Sequence, residues 1–101
     1  MRLRFSVYQY QGNNFTIDGH FTDGNTLRDF GGGVLKDQNG VRVHAVSRGN
    51  YTTGVWRDFE VDLSPATGKT LSTILVAYDC ASGQTCINPF RAYFDNISIS
   101  Y

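Results

Sequence analysis

The chain has 101 residues, enough for one small domain over residues 1–101. Nine Lys and Arg balance nine Asp and Glu, so no basic stripe marks a nucleic-acid partner, and no apolar run is long enough to cross a membrane. Eleven glycines, six tyrosines and seven phenylalanines against two prolines suit a β-protein with many turns.

Residues 2–10 alternate strictly. Leu3, Phe5 and Val7 point one way, and Arg2, Arg4, Ser6, Tyr8 and Tyr10 the other. The segment Met1–Val7 carries no apolar stretch of the kind an export signal needs and already reads as a strand. Gln11-Gly12-Asn13 is a turn, and residues 14–22 alternate again, with Phe15, Ile17, Gly19 and Phe21 against Asn14, Thr16, Asp18, His20 and Thr22. The short turn between the two runs predicts a hairpin in which Ser6 faces Asp18 and Arg4 faces His20.

Asp23-Gly24-Asn25 turns the chain, and residues 26–29 and 34–36 read as short extended pieces around Gly31-Gly32-Gly33, a permissive bend or bulge. Asn39-Gly40 signals a tight hairpin between residues 34–36 and 41–45. Residues 55–63 form a strand with Val55, Phe59, Val61 and Leu63 on one side and Trp56, Asp58, Glu60 and Asp62 on the other. Pro65 ends it. Residues 70–79 are apolar on both faces, as in a central strand covered from both sides. Residues 91–100 form the last strand. Phe94 and Ile97 stand three apart there, so a bulge at Asp95-Asn96 is needed to restore the phase. No segment keeps helical periodicity. About seven or eight short strands with frequent turns predict an all-β antiparallel sandwich without substantial helix.

Cys80 and Cys86 enclose a loop-like Ala-Ser-Gly-Gln-Thr. The spacing fits neither a zinc knuckle nor a Cys-x-x-Cys pair. A disulfide pinning a surface loop follows, with reduced thiols at a loop base as the alternative, and a disulfide implies an oxidising compartment. The sequons Asn14-Phe15-Thr16, Asn50-Tyr51-Thr52 and Asn96-Ile97-Ser98 point the same way.

No nucleophile elbow, zinc-protease motif or phosphate loop is present. Asp58, Glu60 and Asp62 share a strand face about 7 Å apart, a carboxylate spacing glycosidases use. A flat wet face lacks the cleft that drives two pKa values apart, so the chain reads as non-catalytic. His20 and His44 with Asp18 are weak metal candidates beside the simpler role of polar strand residues. No cofactor is required. Calcium is the metal this oxygen-rich sequence would suit, with Asp95 at the bulge as its candidate ligand; the structural alternative for Asp95 is to hold backbone that the bulge leaves unpaired. Sugar recognition needs aromatic faces and planar polar groups. Tyr8, Tyr10 and Trp56 supply the first unless they are packing residues, and Asp18, His20, Arg28, Asp29 and His44 the second. Asp18, Arg28, Asp29 and His44 are expected to converge around the turn at 27–29.

An ordered series of motifs carries a resemblance. It runs through Asp18, Thr22-Asp23-Gly24, Leu27-Arg28-Asp29, Asp37-Gln38-Asn39-Gly40-Val41 and His44. It continues with Trp56, Gly68-Lys69-Thr70, Val76-Ala77-Tyr78-Asp79, Arg91 and Tyr93-Phe94-Asp95-Asn96-Ile97. From Ile17 to Tyr101 the chain resembles the carbohydrate-binding-module-like, lectin-like jelly-roll domains of secreted glycoside hydrolases. Ala45 replaces the Pro that often follows the motif histidine, and Phe30-Gly31 the usual Ser-Gly. The resemblance implies a secreted jelly-roll sandwich with a glycan as partner, targeting a linked enzyme or acting as a lectin. The rival expectation is a structural subunit of an extracellular assembly. Family modules carry strands ahead of the position of Leu3, so the resemblance also implies that a symmetric copy, a neighbouring subunit or a donated strand covers an exposed edge.

Overall fold

The computed structural model describes residues 1–11, 14–47, 54–78 and 91–100. Five strands form, β1 (Arg2–Gln11), β2 (Phe15–Phe21), β3 (Trp56–Asp62), β4 (Leu71–Tyr78) and β5 (Arg91–Ser100). They pair antiparallel in two sheets, β3-β1-β5 and β2-β4. The described residues hold no α-helix; single 3₁₀ turns occur at Phe30–Gly32, Ala45–Ser47 and Ser64–Ala66. The all-β expectation holds. The strands are fewer than expected because most of residues 22–47 fold as turns and isolated bridges.

The expected β1–β2 hairpin does not form. β1 lies between β3 and β5, so Ser6 stands opposite Asp58 on one side and Asp95 on the other. β2 crosses to the second sheet, where Asp18 faces Leu75 and His20 faces Thr73. The alternation of each strand was legible. The partner was not, because a neighbouring strand and a remote one satisfy the same pattern equally well.

Both sheets feed one core. Leu3, Phe5 and Val7 of β1, Phe15, Ile17 and Phe21 of β2, and Phe59 and Val61 of β3 are all buried in it, with Phe5 and Phe59 rings 5.4 Å apart. The segment after β2 adds Leu27, Leu35 and Val43. Residues 26–29, expected extended, form a tight turn, with the Phe30 amide donating to the Thr26 carbonyl at 2.9 Å. The chain then passes through Gly31, Gly32 and Gly33 at φ of 58°, 76° and 94°. Three left-handed residues in succession explain the triple glycine. The Asn39-Gly40 turn forms as expected, with bonds from Asp37 N to Val41 O at 2.9 Å and from Val43 N to Leu35 O at 3.3 Å.

Two of the four sheet edges are covered. Asp37 bridges Val61 beside β3, and the Gln38 amide pairs with the β3 backbone, donating to Asp58 O at 2.7 Å and accepting from Glu60 N at 2.8 Å. Beside β2, His20 bridges Thr26, and Leu27 N donates to Gly19 O at 3.0 Å. Among the described residues, β4 and β5 each pair with one strand only. β4, expected to be covered on both faces, is instead an edge among the described residues, with Ile74, Leu75 and Val76 exposed. Its apolar composition says it needs cover and not what supplies it. Ile97 and Ile99 of β5 are exposed too.

The bulge in β5 falls where the broken period required it. Ser6 pairs with Asp95 and Arg4 with Ser98, so Asn96 and Ile97 oppose the single residue Phe5. Asn96 takes the extra length at φ 54°.

Gly19 of β2 packs tightly against β4. A Cβ there would meet the Thr73 carbonyl oxygen at 2.6 Å and the Leu71 and Leu27 methyls at 3.1 and 3.3 Å. Backbone cannot yield as a side chain can, so Gly19→Ala is expected to lower unfolding free energy by about 1–3 kcal/mol. Denaturant unfolding of the variant beside the parent chain checks this; equal midpoints would contradict the packing described.

Candidate functional site

The outward residues of β3, β1 and β5 form rungs across one open sheet face. Trp56, Tyr8 and Tyr93 make the first rung, Asp58, Ser6 and Asp95 the second, Glu60, Arg4 and Ser98 the third, and Asp62, Arg2 and Ser100 the fourth. Each rung is a direct cross-strand set, so its side chains stand side by side. The Tyr8 ring centroid lies 5.5 Å from that of Trp56 and 6.1 Å from that of Tyr93, with tilted planes. Trp56 and Tyr93 are each 49% exposed.

Two adjoining depressions run down this face from the aromatic rung. One, of about 250 Å³, is lined by Ser6, Trp56, Asp58, Asp95 and Asn96. The other, of about 430 Å³, continues past Arg4 and Glu60 to Gln38 and Ser98. They share Ser6, Asp58 and Asn96. The Ser6 hydroxyl donates to Asp58 Oδ1 at 2.6 Å, and Asn96 Nδ2 donates to Ser6 Oγ at 3.4 Å. Asp95 Oδ1 accepts from the Asn96 amide at 2.8 Å. The bulge therefore brings Asn96 into the row that Asp95 and Ser6 already occupy.

Charge is sorted along the face. Arg2 and Arg4 both pair with Glu60, and Arg4 also donates to the Ser100 hydroxyl at 2.6 Å. The hydrogen bond from Arg2 holds the Glu60 carboxyl below its ordinary value and raises the Arg2 guanidinium. Asp62 is lowered by hydrogen bonds from the Ser64 hydroxyl and amide.

The residues expected to bind sugar divide between two places. Tyr8 and Trp56 lie on this face, and Asp95 beside them. Asp18, Arg28 and Asp29 meet elsewhere, at the turn after β2. There Asp18 is 5% exposed and its Oδ1 accepts from the Gly19 and Arg28 amides at 2.8 and 3.2 Å. Arg28 Nε stands 3.7 Å from Asp18 and 3.6 Å from Asp29, and Arg42 reaches within 4.0 Å of Asp29. Part of the expected convergence is present, but a buried carboxylate that accepts two backbone amides organises the turn. His20 is exposed on β2, and His44, half-buried, opens the turn at 45–47 by accepting from Ser47 N at 2.9 Å. Among the described residues no three His, Cys, Asp or Glu side chains cluster to hold a metal ion; Asp95 takes up the backbone left over at the bulge. Cys80 and Cys86 lie outside the described residues. Sequence reasoning missed Tyr93, Asn96 and Ser6 as parts of the site. Their signal was the shared parity of Tyr8, Trp56 and Tyr93, visible only once β1 is placed between β3 and β5.

The chain matches no protein-family model and no curated protein. What the face can do follows from its own chemistry: stack flat apolar surface on the first rung and exchange hydrogen bonds with a polyhydroxylated partner along the second and third.

Glu60, Asp62 and Asp23, the last lowered chiefly by its bond from Lys69, all have folded pKa values below their ordinary 4.5, 3.8 and 3.8. Their contribution is therefore complete above those values and disappears as pH falls through the lower folded ones. Thermal midpoints measured from about pH 7 down to about pH 3 are expected to fall over that acid window, and Glu60→Gln to make the fall shallower. An unchanged slope in Glu60→Gln would show that its pairing with Arg2 is not stabilising.

Proposed function

We propose that the chain is a non-catalytic carbohydrate-binding domain of the jelly-roll sandwich type, holding glycans against the outer face of the β3-β1-β5 sheet. The observation that carries this reading is the exposed Trp56–Tyr8–Tyr93 rung at the head of a polar depression. A pyranose offers both an apolar C–H face and a rim of hydroxyls. Aromatic rings match the first, and Asp58, Asp95, Asn96 and Gln38 supply acceptors and donors for the second. The two antiparallel sheets sharing one core and the motif series beginning at Ile17 support the same reading. The non-catalytic reading is supported by Glu60, which lines the longer depression and is paired with Arg2 and Arg4. The domain works outside the cell, with Cys80 and Cys86 bridged; thiol labelling of the unfolded, unreduced protein would then find no free thiol.

A glycan array followed by calorimetry tests the binding. Trp56→Ala and Tyr93→Ala are each expected to weaken glycan binding at least about tenfold, roughly 1.4 kcal/mol. Both rings are half-exposed, so stability should change by only about 0.5 kcal/mol. Full binding by both variants would move the site off this face.

A second reading, a subunit that assembles with copies of itself, is favoured by one observation: β4 and β5, each paired on one side only among the described residues, expose aliphatic side chains, and β4 has no charged residue, Pro or Gly to deter pairing. Sedimentation at micromolar concentration tests it. Self-association abolished by Val76→Lys, together with no glycan binding, would replace the first reading with this one.

A further inference from the structure

We propose that the saccharide this face prefers carries a protonated amine. The inference rests on the reading of the face as a glycan site and adds the chemical class of its ligand. Its basis is the order of charges down the rungs.

The aromatic rung is followed at once by two carboxylates, Asp58 and Asp95, one on each side of the buried Ser6. Both line the depression that Trp56 heads. Each spends one oxygen inside the site, Asp58 Oδ1 on the Ser6 hydroxyl and Asp95 Oδ1 on the Asn96 amide. Among the described residues neither is paired with a cation. The cations of this face stand further away and are engaged: Arg4 and Arg2 with Glu60, and Arg4 also with Ser100. On the other side of the aromatic rung, the Arg91 guanidinium lies over the Tyr10 ring at 5.7 Å.

A sugar ring stacked on Trp56 therefore places its substituents beside two negative groups. A hydroxyl can donate to either. An ammonium does so with a full charge, and charge-assisted bonds are the stronger ones. Its electron-poor C–H and N–H edge also suits the faces of Tyr8 and Trp56. A uronate or sulfate in the same position would meet like charge, which costs affinity. Arg4 also lines the longer depression, but Glu60 beside it at 3.4 Å offsets its charge, so an acidic group there competes with a carboxylate already in place. The face is thus built to accept amino sugars, to tolerate neutral ones and to reject acidic ones.

Calorimetry with three tetrasaccharides at about pH 5.5, where carboxylates are ionised, tests this: glucosamine, its fully N-acetylated counterpart, and galacturonic acid. The glucosamine tetramer is expected to bind about tenfold tighter than the acetylated one, the product of two exposed ion pairs. The galacturonic tetramer should bind weakest. The preference ratio should fall about threefold in Asp95→Asn, approach one in Asp58→Asn/Asp95→Asn, and shrink with added salt. Acetylated or acidic sugar binding as tightly as glucosamine overturns the inference and leaves the glycan reading standing. A preference that survives in the double variant, or glucosamine binding that survives Trp56→Ala, also overturns it, since the amine is then read elsewhere. Binding of no tetramer by the parent chain overturns the inference, and the array in the same experiment decides whether the glycan reading falls with it.

Discussion

Strand β1 has a hydrogen-bonded neighbour on each side, and that is the constraint from which the rest of the molecule follows. One parity of its side chains, Leu3, Phe5 and Val7, must enter the core, and the other, Arg2, Arg4, Ser6 and Tyr8, must face out. A slip of one residue would invert both sets. The register is fixed against β3 without interruption from Arg2–Asp62 to Tyr8–Trp56. Against β5 it cannot be. Val7 and Leu3 lie four positions apart, whereas their cross-strand partners Phe94 and Ile99 lie five apart. One residue must leave the ladder, and Asn96 does so with a left-handed backbone that asparagine tolerates better than most residues. The bulge that keeps the core in phase is also what adds Asn96 to the outer depression. Packing and site geometry are two results of the same register.

A second, smaller constraint organises the turns after β2. A carboxylate with low exposure needs donors, and Asp18 finds them in the Gly19 and Arg28 amides. By holding Arg28 N it fixes where the turn at 26–29 begins, and the Arg28 and Arg42 side chains close over Asp29 from that point. Arg42 Nη2 donates to the Arg28 carbonyl at 3.1 Å, and its guanidinium occupies the space that a Cβ on Gly33 would fill. The triple glycine therefore serves a backbone turn and a side chain at once. Within this cluster Asp18 is buried and holds backbone, while Arg28 and Asp29 remain open to solvent.

The sequence was most legible where the information is local. The ends of β1, β3, β4 and β5, the inward and outward sets on β1 and β3, the Asn39-Gly40 turn and the bulge at Asp95-Asn96 all follow from period-two alternation and turn chemistry. Pairing was not legible. Nothing in residues 2–22 says that β1 prefers Trp56–Asp62 and Arg91–Ser100 to the strand that follows it, since long-range ladders depend on the shape of the whole core. For the same reason the candidate site was half seen. Tyr8 and Trp56 stood out by type, but Tyr93, 85 residues from Tyr8, joins them only through the order β3-β1-β5. β4 shows the opposite limit, since composition reports what a strand tolerates and not whether it is covered.

Two kinds of apolar surface result, and they differ in what they can recognise. The aromatic rung sits in the middle of a sheet, on strands held by ladders, with carboxylate, amide and hydroxyl groups in the next rung. The backbone that carries its rings is held by ladders on both sides of β1. Ile74, Leu75 and Val76, by contrast, lie on an edge strand whose neighbouring side chains are aliphatic or hydroxyl-bearing, with no charge from Leu71 to Tyr78. Among the described residues this strand pairs on one side only, so it offers backbone to another strand. On the first surface, aromatic rings and hydrogen-bonding groups line one continuous depression. The edge can be covered without disturbing it, since the aromatic rung belongs to the other sheet.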